Sequence, residues 1–258
     1  MFKNIYPLFE PKRLLKKEML ENLRDFPRSM FGILYQDYSD GILSGCELET
    51  ADETLLIKPG IIYHKGIPYL LEEPWKVPYE ATGKLTYLKV RFPDKNSGTG
   101  QDEYLSQICL EESEADEGCE LELARFKLQE GARLRDTYTD FFDYDTEFDT
   151  INRIYAPYSS PERNGIYPQI MRTYARTLME YPIQNPWDYG FCLECLRMES
   201  AIPYREIHAY LNMRLEQKKS VYSNKEIYKA LGRILQEAGG RGNTEAQKER
   251  GERRLLLL

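Results

Sequence analysis

Residues 54–71, with the sequence TLLIKPGIIYHKGIPYLL, alternate short apolar runs with turn residues. Pro59-Gly60 separates the first run from the second, and Lys65-Gly66 separates the second from the third. Runs of four to eight β-branched or aromatic residues bounded by such turns are typical of β-strands. The stretch therefore predicts three consecutive strands and sets the fold class of the first half of the chain.

The same pattern continues on both sides of this stretch. The complete set of predicted strands is Ile42 to Leu48, Thr54 to Lys58, Ile61 to His64, Ile67 to Leu71, Leu85 to Phe92, Tyr104 to Glu111 and Cys119 to Leu128. Seven short strands at close spacing predict a small antiparallel β-sandwich or barrel.

After Pro161 the apolar period becomes helical, and four segments of about 14 to 17 residues follow. Asn185 before Pro186 is an N-cap signal, and Ser223 with Glu226 forms a capping box. Gly239-Gly240 is expected to end the last helix. Short loops between the segments favour a four-helix bundle or two stacked helical hairpins, so the whole chain is predicted to be α+β.

An amphipathic helix is also predicted before the β region, from Pro11 to Phe26. Its apolar residues Leu15, Met19, Leu23 and Phe26 are spaced by four, four and three, with charged residues between them. Pro27 is expected to interrupt the helix. Since little of the chain ties this helix to the β region, we expect its apolar side chains to pack in an inter-subunit contact or against the β domain.

A connector rich in aromatic and acidic residues joins the two halves. Leaving its rings in water forfeits about 1.5 to 3 kcal/mol for each one that burial would stabilise. The connector is therefore expected to be a docked strap, within the chain or onto a neighbour. Its interface candidates are Phe141, Phe142, Tyr144 and Phe148.

These patterns divide the chain into five parts. They are an N-terminal helical segment at 1–30, a β-sandwich domain at 31–132, the connector at 133–160, a helical domain at 161–238 and a disordered tail at 239–258.

The net charge of −7 is unevenly distributed. Nine carboxylates lie between Asp102 and Glu122 without a single Lys or Arg, and six more lie unopposed between Asp136 and Asp149. Without an extended cationic track, nucleic-acid binding is disfavoured, and protein partners are expected instead. The apolar runs are too short for membrane insertion or a signal peptide, so synthesis in the cytoplasm is expected. Five cysteines without framework spacing are expected to be thiols.

Few residues of the sequence suggest catalysis. There are only two histidines, His64 and His208, and neither a phosphate-binding loop nor a nucleophile elbow is present. Cys192 and Cys195 have the spacing of half a zinc site, but no second such pair exists, and their apolar surroundings favour buried thiols. The sequence predicts a protein that is not an enzyme, with no cofactor and no metal.

Three stretches carry a family resemblance. The opening Asn4-Ile-Tyr-Pro-Leu-Phe-Glu10 leads into a helix, and it is followed by YQDYSDGILSGCEL at 35–48 and IKPGIIY at 57–63. Residues 1–92 with these motifs resemble proteins from prophage and contractile-tail gene clusters of clostridial-type bacteria. The pattern is also similar to the N-terminal shoulder of baseplate proteins and tail fibres, and type VI secretion baseplate adaptors likewise place a helical bundle after such a β domain.

The resemblance implies a non-enzymatic subunit of a phage-like contractile injection machine. Such a subunit would be a baseplate component or adaptor, bound to other baseplate or tail proteins and to further copies of itself, and assembled into a particle. Two other classes stay open. One is a carbohydrate- or peptide-binding module with a helical oligomerisation domain, and the other is a helical regulator with a sensor domain.

If the two halves are separate domains, each is expected to fold alone. Residues 161–240 should be soluble, should melt cooperatively and should be helical by circular dichroism, and residues 1–135 should give a mainly β spectrum. A helical piece that is unfolded alone, but folds when the β piece is present, would show that the chain is one domain and that the boundary is wrong.

Overall fold

The computed structural model describes residues 1–12, 14–51, 53–93, 96–97 and 102–255. The α-helices in these residues are α1 (Lys17–Leu34), α2 (Pro168–Met179), α3 (Pro186–Arg197), α4 (Tyr204–Arg214) and α5 (Asn224–Leu255), with a 3₁₀ turn at Phe142–Asp145. The strands are β1 (Gly41–Gly45), β2 (Leu48–Ala51), β3 (Thr54–Ile57), β4 (Gly60–His64), β5 (Ile67–Leu71), β6 (Trp75–Pro78), β7 (Leu85–Arg91), β8 (Asn96–Ser97), β9 (Asp102–Glu103), β10 (Gln107–Glu111) and β11 (Glu120–Lys127). The predicted α+β class is confirmed.

Within the described residues the strands form three small antiparallel sheets and one short pair. The sheet orders are β1-β4-β5, β2-β3-β6 and β10-β7-β11, with β8 paired to β9. None of them closes, so the barrel alternative is wrong. The predicted strand from Ile42 to Leu48 is two strands, β1 and β2, which belong to different sheets. The stretch 54–71 is also divided, because β3 pairs with β2 and β6 whereas β4 pairs with β1 and β5.

This division depends on a close crossing of two backbone segments. A Cβ atom on Gly60 would lie 2.4 Å from the Cys46 amide nitrogen. A Cβ atom on Gly45, whose φ is +66°, would lie 2.2 Å from the Pro59 carbonyl oxygen. Both positions therefore require glycine, and the Pro59-Gly60 turn packs directly against the corner between β1 and β2.

Both the first and the last helix differ in extent from their predictions. α1 starts at Lys17 and continues through Pro27 to Leu34, so Pro27 lies inside the helix. The proline removes one intrahelical hydrogen bond without ending the helix. α5 likewise continues through Gly239-Gly240 to Leu255, where the sequence predicted a disordered tail. Residues 256–258 of that predicted tail lie outside the described residues.

The connector 133–160, called the strap below, is docked on the body of its own chain. It forms isolated bridges with β11 at Asn152 and with β1 at Tyr158. Phe141 is fully buried, and its ring stacks on Tyr228 of α5 with the centroids 4.7 Å apart. The strap therefore fills the space between the sheets and the helices.

Hydrogen bonds in the helical half link three of its helices. The Tyr174 hydroxyl of α2 lies 2.6 Å from the Tyr210 hydroxyl of α4, and Tyr210 donates to buried Asp188 of α3 at 2.9 Å. Arg214 also donates to Asp188, so this buried carboxylate is paired. α2 packs against α3 and α5, and α4 packs against the same two helices.

Both predicted helix starts are confirmed. The Asn185 side chain accepts a hydrogen bond from the Trp187 amide. Ser223 and Glu226 exchange backbone-to-side-chain hydrogen bonds as a capping box. One continuous cluster of buried apolar residues runs from the sheets through the strap to the helices. The predicted domain boundaries stay a prediction.

Neighbouring phenylalanines in the strap allow a matched test of its packing. Phe141→Ala is expected to lower the free energy of unfolding by about 3 to 5 kcal/mol, because it removes a fully buried ring and leaves a cavity. Phe142→Ala, at a side chain that is 46% exposed, should cost about 1 kcal/mol or less. Urea unfolding followed by fluorescence measures both, and equal losses would show that the strap is not part of the core.

Candidate assembly surface

α1 carries an apolar stripe on a helix that has no buried residue. The stripe residues are Met19, Leu23, Phe26, Met30 and Ile33, at successive steps of four, three, four and three. Leu23 is 57% exposed and Ile33 is 68% exposed. A repeat of this kind places all five side chains along one side of the helix, as in helices that pack against other helices.

Only the last part of α1 is anchored to the body, and the anchor is aromatic. Phe31 packs on Tyr35 with the ring centroids 4.5 Å apart, and both rings lie near Tyr63 of β4 at 6.0 and 6.3 Å. Tyr35 also meets Tyr38 edge to face at 4.9 Å. α1 is therefore held at its C-terminal end while its first turns project from the body.

An open groove, called the α1 groove below, lies between α1 and the body. Its volume is about 1340 Å³. Pro27, Met30 and Leu34 line it from the side of α1, and Leu43, Ile61 and Met198 are among the residues that line it from the body. Since Met198 directly follows α3 and Leu43 lies on β1, both halves of the chain contribute to the groove.

A buried cation supports the floor of the α1 groove. Glu47 and Tyr167 line the groove, and Arg153 lies fully buried behind them. The Arg153 guanidinium donates to Glu47 at 2.6 Å, and the Tyr167 hydroxyl donates to the same carboxylate at 2.7 Å. Burial raises the pKa of Tyr167, so its hydroxyl keeps the proton that it donates at neutral pH. This network fixes the position of Glu47 at the groove.

The predicted interface residues fall into two groups. Leu15, Leu23 and Phe26 are exposed, Met19 is half-buried, and Leu15 precedes the first turn of α1. Phe141 and Tyr144 are both buried in the chain's own core. Phe142 is exposed, and Phe148 is half-buried beneath the ammonium group of Lys127 at 4.5 Å. An interface role for the accessible residues stays a prediction.

A second exposed stripe lies on α3 and was not predicted. Tyr189, Leu193 and Leu196 are all exposed, and their spacings of four and three place them on one side of the helix. These spacings are readable in the sequence. However, the buried face of the same helix, with Phe191 and Cys192, is also apolar, so no polar side indicates which face meets solvent.

Cys192 and Cys195 lie in the core. Burial raises the pKa of Cys192 to about 12 and raises that of Cys195 as well, so both are protonated thiols at neutral pH. The residues that the structure describes contain one cluster of potential metal ligands, formed by Cys109, Glu111 and Glu120. The predicted absence of a metal stays a prediction.

Cations already lie within that cluster. The buried Lys89 ammonium lies 2.9 Å from Glu120 and 3.0 Å from Glu111, and Arg91 lies within 2.9 Å of the same two carboxylates. Burial alone would raise the pKa of Glu120. Hydrogen bonds from Lys89, the Asp116 amide and Arg91 outweigh that effect and lower the pKa to about 2. The group is therefore a neutralised ion-pair network on the sheet β10-β7-β11.

No protein-family model matches the chain, and no curated protein sequence matches it. Several solved structures have a partial likeness to its fold. One is a crystal structure of TssK, which is 9% identical with a TM-score of 0.45 over 90% of this chain and 71% of that chain. A second is a chain of the type VI secretion system TssK-TssF-TssG baseplate subcomplex, which is 11% identical with a TM-score of 0.40 over 91% of this chain and 100% of that chain. A third, from the baseplate complex of the type VI secretion system, is 9% identical with a TM-score of 0.37 over the same two shares.

Among the described residues, no helix has the length and apolar character that a membrane crossing requires.

The ion-pair network predicts a specific dependence of stability on pH. The pKa of Glu120 is about 2 in the folded chain against a usual 4.5, so ionised Glu120 stabilises the fold above about pH 4.5, and this stabilisation is lost as the pH falls towards 2. The difference in free energy of unfolding between wild type and Glu120→Gln should therefore be largest at pH 7 and should shrink below pH 4.5.

Urea unfolding at pH 7, 5, 4 and 3 measures this difference. Glu112→Gln is the control, because Glu112 is exposed and pairs with exposed Lys84 at 3.0 Å. Its effect should be close to zero at every pH. A constant difference for Glu120→Gln across the series would contradict the assignment.

Proposed function

We propose that the chain is a non-enzymatic structural subunit of a phage-like contractile injection machine, most specifically a baseplate component or adaptor that joins neighbouring subunits. The observation that carries the proposal is the stripe of α1. Five apolar side chains lie on one side of a helix that has no buried residue, so the chain itself does not bury them.

The stripe needs adjoining surface to form a stable contact with a protein partner. Helices derive most of their stability from packing of an apolar face, and α1 additionally contains Pro27. Fully burying an exposed side chain of this kind contributes about 1.5 to 3 kcal/mol, and the stripe residues are already partly covered, so the stripe offers at most roughly 8 to 15 kcal/mol in all. That is comparable to the roughly 4 to 15 kcal/mol that association costs in lost freedom of motion. The stripe alone is therefore marginal, and adjoining surfaces such as the α1 groove are needed for a stable contact.

The kind of machine is inferred from the resemblance of residues 1–92 to prophage and contractile-tail proteins. The partners are accordingly other baseplate or tail proteins and further copies of the chain. After synthesis in the cytoplasm the subunit is assembled into a particle, and it acts there through binding alone.

The alternative of a carbohydrate-binding module has less support. Such a module needs aromatic rings on an accessible face, but Tyr63, Tyr79 and Tyr87 of the β region are buried. The two tryptophans are exposed, but Trp75 lies on β6 and Trp187 on α3, so they do not share a strand face.

A double substitution in α1 tests the proposed function. The variant Met19→Asp with Leu23→Asp should abolish incorporation into particles, because two charges interrupt the stripe. Its melting temperature should stay within a few degrees of wild type, because neither side chain is buried. Particle incorporation is measured by mass spectrometry of particles purified from the producing cell.

Leu70→Asp provides a matched control. Leu70 is an apolar residue of β5 that is 63% exposed, similar to Leu23, and lies outside α1. Its incorporation should equal that of wild type. Normal incorporation of the α1 double variant would refute the proposed role of the stripe.

A further inference from the structure

We propose that the α1 groove of one copy receives α1 of a second copy. In this reciprocal exchange each of two chains places its first helix in the groove of the other, while each α1 stays anchored to its own body. This inference rests on the proposed assembly function and names the partner of one surface. It needs only this chain, because the same molecule carries both the projecting helix and the groove.

The size of the groove fits a helix. An α-helix with its side chains is about 10 Å wide and rises 1.5 Å per residue. A volume of about 1340 Å³ therefore corresponds to about three turns of helix. α1 has 18 residues, or about five turns, so its projecting first turns are long enough to fill the space.

The apolar face of α1 is wider than a contact with a single helix requires. Leu20 and Leu34 lie beside the stripe, and both are exposed. In a two-helix coiled coil these flanking positions are usually charged. A widened apolar face instead suits a helix that touches two surfaces at once, and the groove offers two, the partner's α1 and the partner's body.

The chain's own α1 leaves this space open. Its aromatic anchor at Phe31 and Tyr35 holds the helix where Met30 and Leu34 form one wall of the groove. Met19 and Leu23 lie nearer the N-terminus than any residue of α1 that lines the groove. These two residues are therefore available to a second copy while the anchor stays intact.

Reciprocal exchange buries an area at the lower end of specific interfaces. The three turns of helix that the groove accommodates are about 16 Å long and have a lateral surface of about 510 Å². If half of it is covered, and an equal area of groove is covered on the same copy, each copy buries about 510 Å², or about 1,000 Å² for the pair. A specific interface is expected to bury at least about 1,000 Å² in total. The contact is isologous, so one helix and one groove are used on each side.

Crosslinking between two differently tagged full-length chains tests the exchange. One chain carries Leu23→Cys, and the other carries Leu43→Cys, Ile61→Cys or Met198→Cys in the groove. A bifunctional maleimide that spans about 10 Å is applied to each mixture, and mass spectrometry identifies the linked peptides. Burial raises the pKa of the nearby native Cys46 to about 11, so this thiol is a poor competitor at neutral pH.

Exchange predicts a two-tag adduct that joins position 23 to at least one groove position, and a purified wild-type chain of twice the monomer mass by light scattering. Leu70→Cys replaces the groove cysteine in the control, and it should give no more adduct than wild type mixed with Leu23→Cys. Any one of three results would overturn the inference. They are the absence of every groove adduct, an adduct equally strong with Leu70→Cys, and a wild-type chain that stays a monomer at all concentrations.

A second measurement guards against variants that perturb the fold. Leu23→Glu in an otherwise unaltered chain should convert the pair to a monomer with an unchanged circular dichroism spectrum, whereas Leu193→Glu on the exposed stripe of α3 should leave the pair intact. A pair that persists with Leu23→Glu would also overturn the inference.

These results are separable from those for the proposed function. A monomer whose α1 is still required for incorporation into particles would refute the exchange and leave the assembly role standing. A pair formed by exchange that enters no particle would support the exchange and refute the assembly role.

Discussion

The buried guanidinium of Arg153 connects segments that are far apart in the sequence. It donates to Glu47 and to the Cys46 carbonyl at the corner between β1 and β2, to the Tyr158 hydroxyl in the strap, and it lies 4.1 Å from the ring of Tyr167 before α2. Removing one partner of such a buried network generally costs about 3 to 5 kcal/mol, because the remaining polar groups lose their hydrogen bonds. The sheets, the strap and the helices are therefore joined at a single side chain.

Glu47 is an acidic partner of this cation, and it lines the α1 groove. The groove is thus lined by residues from β1, from the region after α3 and from α1 itself, and the Arg153 network positions Glu47 and Tyr167 on its floor. A helix seated there would touch both halves of the chain. This arrangement makes the relative position of the two halves part of the proposed binding surface.

Local signals in the sequence predicted local structure well. The caps at Asn185 and Ser223 and the turns at Pro59-Gly60 and Lys65-Gly66 depend on neighbouring residues, so the printed sequence contains the information needed to recognise them. The partners of Arg153 were not predictable in this way, since Glu47 lies 106 positions away. The assignment of β3 and β4 to different sheets likewise depends on the close approach of Gly60 to Cys46, which no hydrophobic period reveals.

The sequence likewise predicted only part of the candidate assembly surface. The spacing of Met19, Leu23 and Phe26 identified one side of α1, but a rule about proline placed the helix end too early and hid Met30 and Ile33. In the strap, composition predicted docking but not which rings would turn inward, because neighbouring Phe141 and Phe142 differ only in the tertiary space available to each.

The projecting first helix also affects how a free copy of the chain is recognised by chaperones and proteases. Exposed apolar segments are what chaperones bind and what intracellular proteases cleave, and a copy without a partner presents both α1 and the apolar residues before it, such as Phe2 and Leu14. Under the proposed assembly role, copies that enter an assembly would be protected and surplus copies would be removed. The amount of free subunit would then follow the number of assemblies that are being built.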